Sequence, residues 1–249
     1  MIIKGSTAVI TGAASGIGQA TAFDLASRGA KAIAMVDITD NVADVTAEMN
    51  KKEGREVGRA FQGDVTDEAF RKEVYDAMCG KDGVVNICVP SAGIFRDRLS
   101  VMLDKETGEP DIYPVEMFHQ VLEVNLVAPV YWALELVARM AHNRKVNGKK
   151  KWHPDETVQG TVVFIGSVAS QGNKGQISYS STKAALEGAA QTLMKESMFH
   201  GVRTAVIHPG FVDTPILQGM PEGYLEKYVL PDIQLGRLIR PEELADAIC

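Results

Sequence analysis

The chain has 249 residues, 45% of them hydrophobic and 23% charged, with a net charge of −6 at pH 7. That length fits one large α/β domain, and the acidic balance excludes a general nucleic-acid binder, which would be basic. Cys79, Cys88 and Cys249 are odd in number and lack metal-ligand spacing, so no disulfide framework or metal site is expected and a reducing, cytoplasmic setting fits.

The opening Met1-Ile2-Ile3-Lys4-Gly5 leads straight into an apolar run, so no signal peptide is expected. TAVIT (7–11) is predicted as the first strand and 17–28 as a helix. A strand at 32–36, a polar helix over 41–53 and a strand at 57–62 follow. Thr66 is the predicted N-cap of a helix reaching Cys79, and a strand spans 84–89. Helical patterning resumes over 115–141. Its apolar stretch from 121 carries Glu123, Asn125, Glu135 and Arg139, which argues against a membrane span. A strand at 161–166, a helix from Ile177 and a strand at 204–208 follow, and Pro241-Glu242-Glu243 is a helix start. Strands this apolar are buried on both faces, as in parallel sheets. Right-handed crossovers between them give a doubly wound parallel sheet, the Rossmann fold, in one domain over residues 1–249. Two long polar connections, 96–114 and 142–160, are expected to be functional or mobile, and 211–240 is expected to form a third such loop, the three serving the substrate.

TGAASGIG (11–18) joins the first strand to the first helix. Gly12, Gly16 and Gly18, with Ser15 and Ile17 between them, allow a tight turn and close approach of a pyrophosphate to the helix N-terminus. Such a loop alone is a weak signal, but here a strand precedes it and a helix follows. Asp37 closes the second strand, where a carboxylate can accept from both adenosine ribose hydroxyls; the plain alternative is a surface Asp ending a strand. Neither Ser15 nor Ile38 offers a charge for a 2′-phosphate, so the combination favours NAD over NADP. Asp64 and Val65 close the third strand, where they either hold the adenine or cap the next turn. Ser91, Ala92 and Gly93 follow the fourth strand at the same sheet edge.

Tyr179 and Lys183 are four residues apart and share a helix face. A phenol with the ordinary pKa of about 10 is a poor base at neutral pH. A neighbouring ammonium lowers it and allows proton exchange with a substrate oxygen. Ser167, at the end of the fifth strand, can bond the same oxygen. A Tyr-Lys pair by itself is more often an exposed helix pair.

Taken in order, these motifs resemble those of a short-chain dehydrogenase/reductase from Ser6 to the last residue. TGAASGIG resembles the family's glycine loop and SAG its NNAG. EVNL supplies Asn125, IGS supplies Ser167, and YSSTK supplies Tyr179 and Lys183. HPGFVDTP places Pro209, Gly210, Val212 and Thr214 beside the nicotinamide amide. The resemblance implies that Tyr179 is the general acid/base. Lys183 holds the nicotinamide ribose, Ser167 orients the carbonyl, and Asn125 supports a water chain. It also implies a homodimer or homotetramer through the helices at 125–141 and 177–191, where Ala184, Ala185 and Gly188 keep one helix thin. PSAG departs from NNAG: Ser91 replaces an asparagine and Pro90 lacks a backbone donor. The family's last strand, beyond PEELADAI, is expected to be missing from this chain.

The implied function is hydride transfer between NAD and a secondary alcohol or ketone. SAGIFRDRL resembles the 3-oxoacyl reductase and 3-hydroxyacyl dehydrogenase branch, which implies an acyl-carrier protein or coenzyme A thioester. The alternative is an NAD-sensing regulatory or interaction protein on the same fold; such proteins tend to lose the catalytic tyrosine or lysine, and both stand here. Arg144, Lys145, Lys149, Lys150 and Lys151 crowd one loop. They are read either as a dock for an acidic carrier or as a solvated insertion. No metal, nucleic-acid or membrane partner is expected.

Overall fold

The computed structural model describes residues 1–218, 223, 225, 227 and 229–249. Six parallel strands form one sheet: β1 (Thr7–Thr11), β2 (Ala32–Asp37), β3 (Gly58–Gln62), β4 (Ile87–Pro90), β7 (Gly160–Ile165) and β8 (Val202–Ile207). Their spatial order is β3-β2-β1-β4-β7-β8, so the winding reverses direction at β1 and β4. That reversal opens a crevice at the carboxyl edge of the sheet.

Alternate strand residues feed two cores, as the period of two requires. Ile10, Met35, Val89 and Ile165 pack on one face with Leu25 of α1 (Gly16–Ser27) and Met49 of α2 (Val42–Glu53). Leu244 and Ile248 of α8 (Pro241–Ile248) join them. Val9, Val36, Cys88 and Phe164 pack on the other face with Tyr75 of α3 (Glu68–Asp82) and Trp132 of α5 (Ala128–Val146). Leu186 of α6 (Ile177–Ser197) completes that layer. Trp132 is fully buried, and its indole Nε1–H donates to the Val65 carbonyl at 2.9 Å. Truncating it to Ala would cost about 3–5 kcal/mol.

Several boundaries differ from expectation. The cap of α3 is Asp67, not Thr66: the Asp67 carboxylate accepts the Ala69 and Phe70 N–H groups. Thr66 instead bonds Asp64, whose Oδ1 accepts its N–H and its hydroxyl, each at 2.8 Å. The helix expected over 115–141 is α4 (Val115–Leu122), a π-helical turn (Glu123–Val127) and then α5. This run of 32 residues is long and apolar enough to cross a membrane, but Trp132, Leu136 and Met140 are buried against the sheet. The connection 96–114 holds an antiparallel hairpin, β5 (Val101–Leu103) with β6 (Pro110–Ile112). Short α7 (Pro215–Gln218) lies in the segment 211–240, part of which falls outside the described residues. Among the described residues the sheet ends at β8.

Of the five basic residues in the loop, Lys145, Lys149, Lys150 and Lys151 are exposed and one is not. Arg144 is buried: its guanidinium bonds both carboxylate oxygens of Glu156 and the Lys150 carbonyl. The remaining lysines sit at the far end of α5 from the crevice. Nineteen residues of helix separate the two ends, about 28 Å at 1.5 Å per residue.

Candidate active site

A cleft of about 1470 Å³ runs along the carboxyl edge of the strands. Every expected site residue lines it except Asn125. Asn125 is fully buried beneath the floor, in the π-helical turn. Its Oδ1 accepts the Ile94 N–H and its Nδ2 donates to the Ile94 carbonyl, both at 2.9 Å. It therefore fixes the segment leaving β4 rather than touching the cleft.

The nucleotide half is built of close backbone approaches. Gly12 has φ +66°, and a Cβ on it would stand 2.8 Å from the Ala92 Cα. A Cβ on Gly18 would collide with the Gly12 carbonyl oxygen. The α1 N-terminus has no acidic residue in its first turn, so its free N–H groups suit a pyrophosphate. Gly16 touches Thr214 across the cleft: a Cβ there would lie 3.0 Å from the threonine Cγ2. These features fit a dinucleotide.

Asp37 ends β2 and is only 9% exposed. Its Oδ2 accepts the Ala14 N–H at 3.0 Å, and its Oδ1 accepts the Thr39 N–H at 3.1 Å and the Thr39 hydroxyl at 2.8 Å. A carboxylate offers about four acceptor sites. Three are filled, so Asp37 has room for one ribose hydroxyl rather than the expected two, unless the Thr39 hydroxyl turns to Asn41 Oδ1, 2.6 Å away. Asp64 is exposed and caps its own turn, as the plain reading has it, while also lining the cleft with Val65. Ser91 faces inward: its hydroxyl donates to the Thr11 carbonyl at 2.5 Å, and the Ala92 N–H donates to the Thr11 hydroxyl at 3.2 Å. The residue that departs from NNAG ties β1 to β4.

Ser167 follows β7 with extended backbone, and its Oγ accepts the Ala169 N–H at 3.1 Å. Ser167 and Tyr179 both line the cleft. Burial pushes the Tyr179 phenol up to about 12; the Ser167 hydroxyl draws it back, and the charge of Asp97 adds to the rise. Lys183 is buried, donates to the Ile165 carbonyl at 2.7 Å, and is pushed down by burial to about 8. Its ammonium lies 5.4 Å from the centre of the Tyr179 ring. The expected lowering of the phenol by the lysine is not what dominates here, because burial penalises both charged forms.

Sequence reasoning missed Phe95, whose ring meets Tyr179 edge-on with centroids 4.4 Å apart. It also missed Asp97, which accepts from Gln176 Nε2 at 2.6 Å. Tyr113 straps the same segment down, donating to the Arg96 carbonyl at 2.7 Å and lying 2.9 Å from the Ser178 hydroxyl. No periodicity marks such contacts between a loop and a helix start. Among the described residues no cluster of His, Cys, Asp and Glu could hold a metal.

A profile of the short chain dehydrogenase family matches residues 6–224. The chain belongs to that family. Its members bind a nicotinamide dinucleotide, and the protein is an oxidoreductase. It is 32% identical over 249 residues to the 3-oxoacyl-[acyl-carrier-protein] reductase FabG of Thermotoga maritima, covering 100% of this chain and 90% of that protein. It is 31% identical over 254 residues to the (3R)-3-hydroxyacyl-CoA dehydrogenase of Mus musculus, covering 99% and 88%. The Escherichia coli FabG reductase is 29% identical over 249 residues, with 100% and 90% covered. In this short-chain dehydrogenase the six-stranded parallel sheet is the doubly wound fold that the resemblance implied.

Proposed function

We propose that the protein interconverts a 3-hydroxyacyl and a 3-oxoacyl thioester with NAD as its cofactor. The observation that carries this reading is the meeting of Ser167, Tyr179 and Lys183 in one cleft at the sheet edge, with the Lys183 ammonium 5.4 Å from the centre of the Tyr179 ring. When bound, the nicotinamide accepts or supplies the hydride. Tyr179 exchanges the proton at the substrate oxygen, and Ser167 orients that oxygen. Lys183 holds the ribose, and Asn125 keeps the Ile94 segment in place behind them.

The thioester follows from the names of the FabG and hydroxyacyl-CoA relatives and from the cleft lining. Phe95, Phe211, Leu217 and Val229 offer apolar surface for an acyl chain. The exposed Arg96 guanidinium, braced by Gln120 and the Phe95 carbonyl, offers a cation on the cleft wall for a carrier or coenzyme A phosphate. NAD is favoured by the Asp37 carboxylate and the lack of a cation at Ser15 and Ile38. A homodimer is favoured by α6: Ala184, Ala185 and Gly188 are exposed, and a Cβ on Gly188 would meet open space. Tyr131 and Leu134 of α5 are likewise exposed.

Initial rates with NAD on 3-hydroxyacyl-CoA, sugar alcohols and steroid alcohols test the reading. The thioester is expected to give the highest kcat/KM, and Arg96→Ala to raise its KM while leaving that of a small ketone unchanged. A sugar or steroid alcohol outpacing every thioester would contradict the substrate class.

A further inference from the structure

His208 precedes Pro209 just past the end of β8 and has no role in the account above. Its ring lies against the backbone of the turn that carries Ser167. A Cβ built on Gly166 would stand 2.7 Å from the ring Nδ1 and 2.8 Å from Cε1, so the glycine leaves the space that the imidazole fills. Nδ1 is 3.1 Å from the Ser167 carbonyl oxygen. On the ring's other side, Nε2 is 3.6 Å from the Glu187 carboxylate of α6.

Both neighbours are acceptors. A carbonyl oxygen can only receive a hydrogen bond, so Nδ1 must carry the proton for this contact to be favourable. The Glu187 carboxylate faces the opposite edge of the ring. The Ser167 carbonyl also accepts the Ser170 N–H at 3.0 Å. Pro209, which follows His208 beyond β8, has no N–H to add, although its own carbonyl accepts the Val168 N–H at 3.1 Å. The imidazole thus closes the gap where the ladder between β7 and β8 gives way to the turn.

We propose that His208 is a positioning residue for Ser167, its Nδ1–H clamping the serine carbonyl so that the hydroxyl of the same residue keeps its place in the cleft. The proposal rests on the catalytic reading of Ser167. Glu187 orients the ring from α6. Lys183, from the same helix, grips the Ile165 carbonyl two residues before Ser167, so side chains hold the strand end at two points. Loss of the clamp misplaces the hydroxyl without touching the nucleotide half of the cleft.

Two variants of similar bulk separate clamping from packing. His208→Asn places an amide N–H near the position of Nδ1, whereas His208→Leu has no donor. The expected result is a kcat for His208→Leu lower by about tenfold to a hundredfold, the scale of a misaimed catalytic group. KM for NAD is expected to stay near that of the parent, and His208→Asn to recover most of the loss. Equal kcat values for His208→Leu and the parent, or for the Leu and Asn variants, would overturn the proposal. Imidazole 15N NMR of the parent provides a readout independent of turnover and of variant folding. Nδ1 protonated at every pH is expected, and an Nε2–H tautomer with bare Nδ1 would overturn the proposal. A parent that turns over no alcohol would count against the functional reading, while the NMR result would still judge the clamp.

Discussion

The Lys183 ammonium lies 5.4 Å from the centre of the Tyr179 ring, yet its hydrogen bond goes to the Ile165 carbonyl. The two side chains share a helix face and a buried site, and burial moves them in opposite directions, the phenol up to about 12 and the lysine down to about 8. The apolar surroundings hold both in their neutral forms over a wider range of pH than water would.

For Lys183 this has a consequence for stability. Unfolded, the amine titrates near 10.5; folded, near 8. Between those values the unfolded chain holds a proton that the folded chain has lost, so stability rises with pH across the window, and below it the full cost of the buried charge is present. Lys183→Met removes that cost and leaves the Ile165 carbonyl without its donor. The unfolding free energy of the parent is therefore expected to gain on that of the variant from pH 8 to 10.5, by at most about 3 kcal/mol. Denaturant melts of both proteins at several pH values check this; a constant difference would mean that the ammonium is not desolvated.

The proposed preference for NAD rests on Asp37. NADP carries a phosphate where NAD has a ribose hydroxyl, and the carboxylate would repel it by about 2–3 kcal/mol after screening, roughly a hundredfold in affinity. Asp37→Ala is expected to weaken NAD and relax the discrimination. Because Asp37 also holds the Ala14 N–H, the variant's loss of NAD affinity should exceed that of one ribose hydrogen bond. Kd values for both cofactors with both proteins give the answer. A parent that binds NADP as well as NAD would require a cation from elsewhere in the fold.

Gly18→Ala tests the turn. Its Cβ would meet the Gly12 carbonyl oxygen and the Ser91 Oγ, and neither can withdraw, since the Ser91 hydroxyl is bonded to Thr11. Cofactor affinity is expected to fall by at least tenfold, with the far-UV circular dichroism unchanged. Unaltered binding would show that the turn can relax.

Gly188→Arg tests the exposed face of α6. Nothing in the chain lies within 4 Å of a Cβ there, so the monomer should fold as before. Sedimentation is expected to show a dimer for the parent and a smaller species for the variant. Identical sedimentation would move the interface elsewhere.

Much of this architecture was legible in the sequence. Strands buried on both faces leave apolar runs that survive inspection, and TGAASGIG between a strand and a helix has few other uses. What stayed hidden depends on pairing in space. The β5–β6 hairpin has strands of three residues, with Val101, Leu103 and Ile112 more than half exposed, so no burial period marks it. Thr66 and Asp67 are both good caps, and only Asp64, which takes Thr66 into its own turn, decides between them. Counting charges gives five cations in the 142–160 loop, but Arg144 is neutralised by Glu156, twelve residues on, and only the four lysines are exposed. The spacing of Tyr179 and Lys183 shows that they share a face; it carries no information about how little water reaches them.

The central claim is that Tyr179 moves the proton in an NAD-linked oxidation of a 3-hydroxyacyl thioester. The most direct measurement is kcat for NADH formation from 3-hydroxyacyl-CoA by the parent and by Tyr179→Phe, alongside the Kd for NAD of each. The account predicts measurable turnover by the parent, a kcat lower by about 10²–10⁴ in the variant, and unchanged NAD affinity. A variant that turns over as fast as the parent would contradict it.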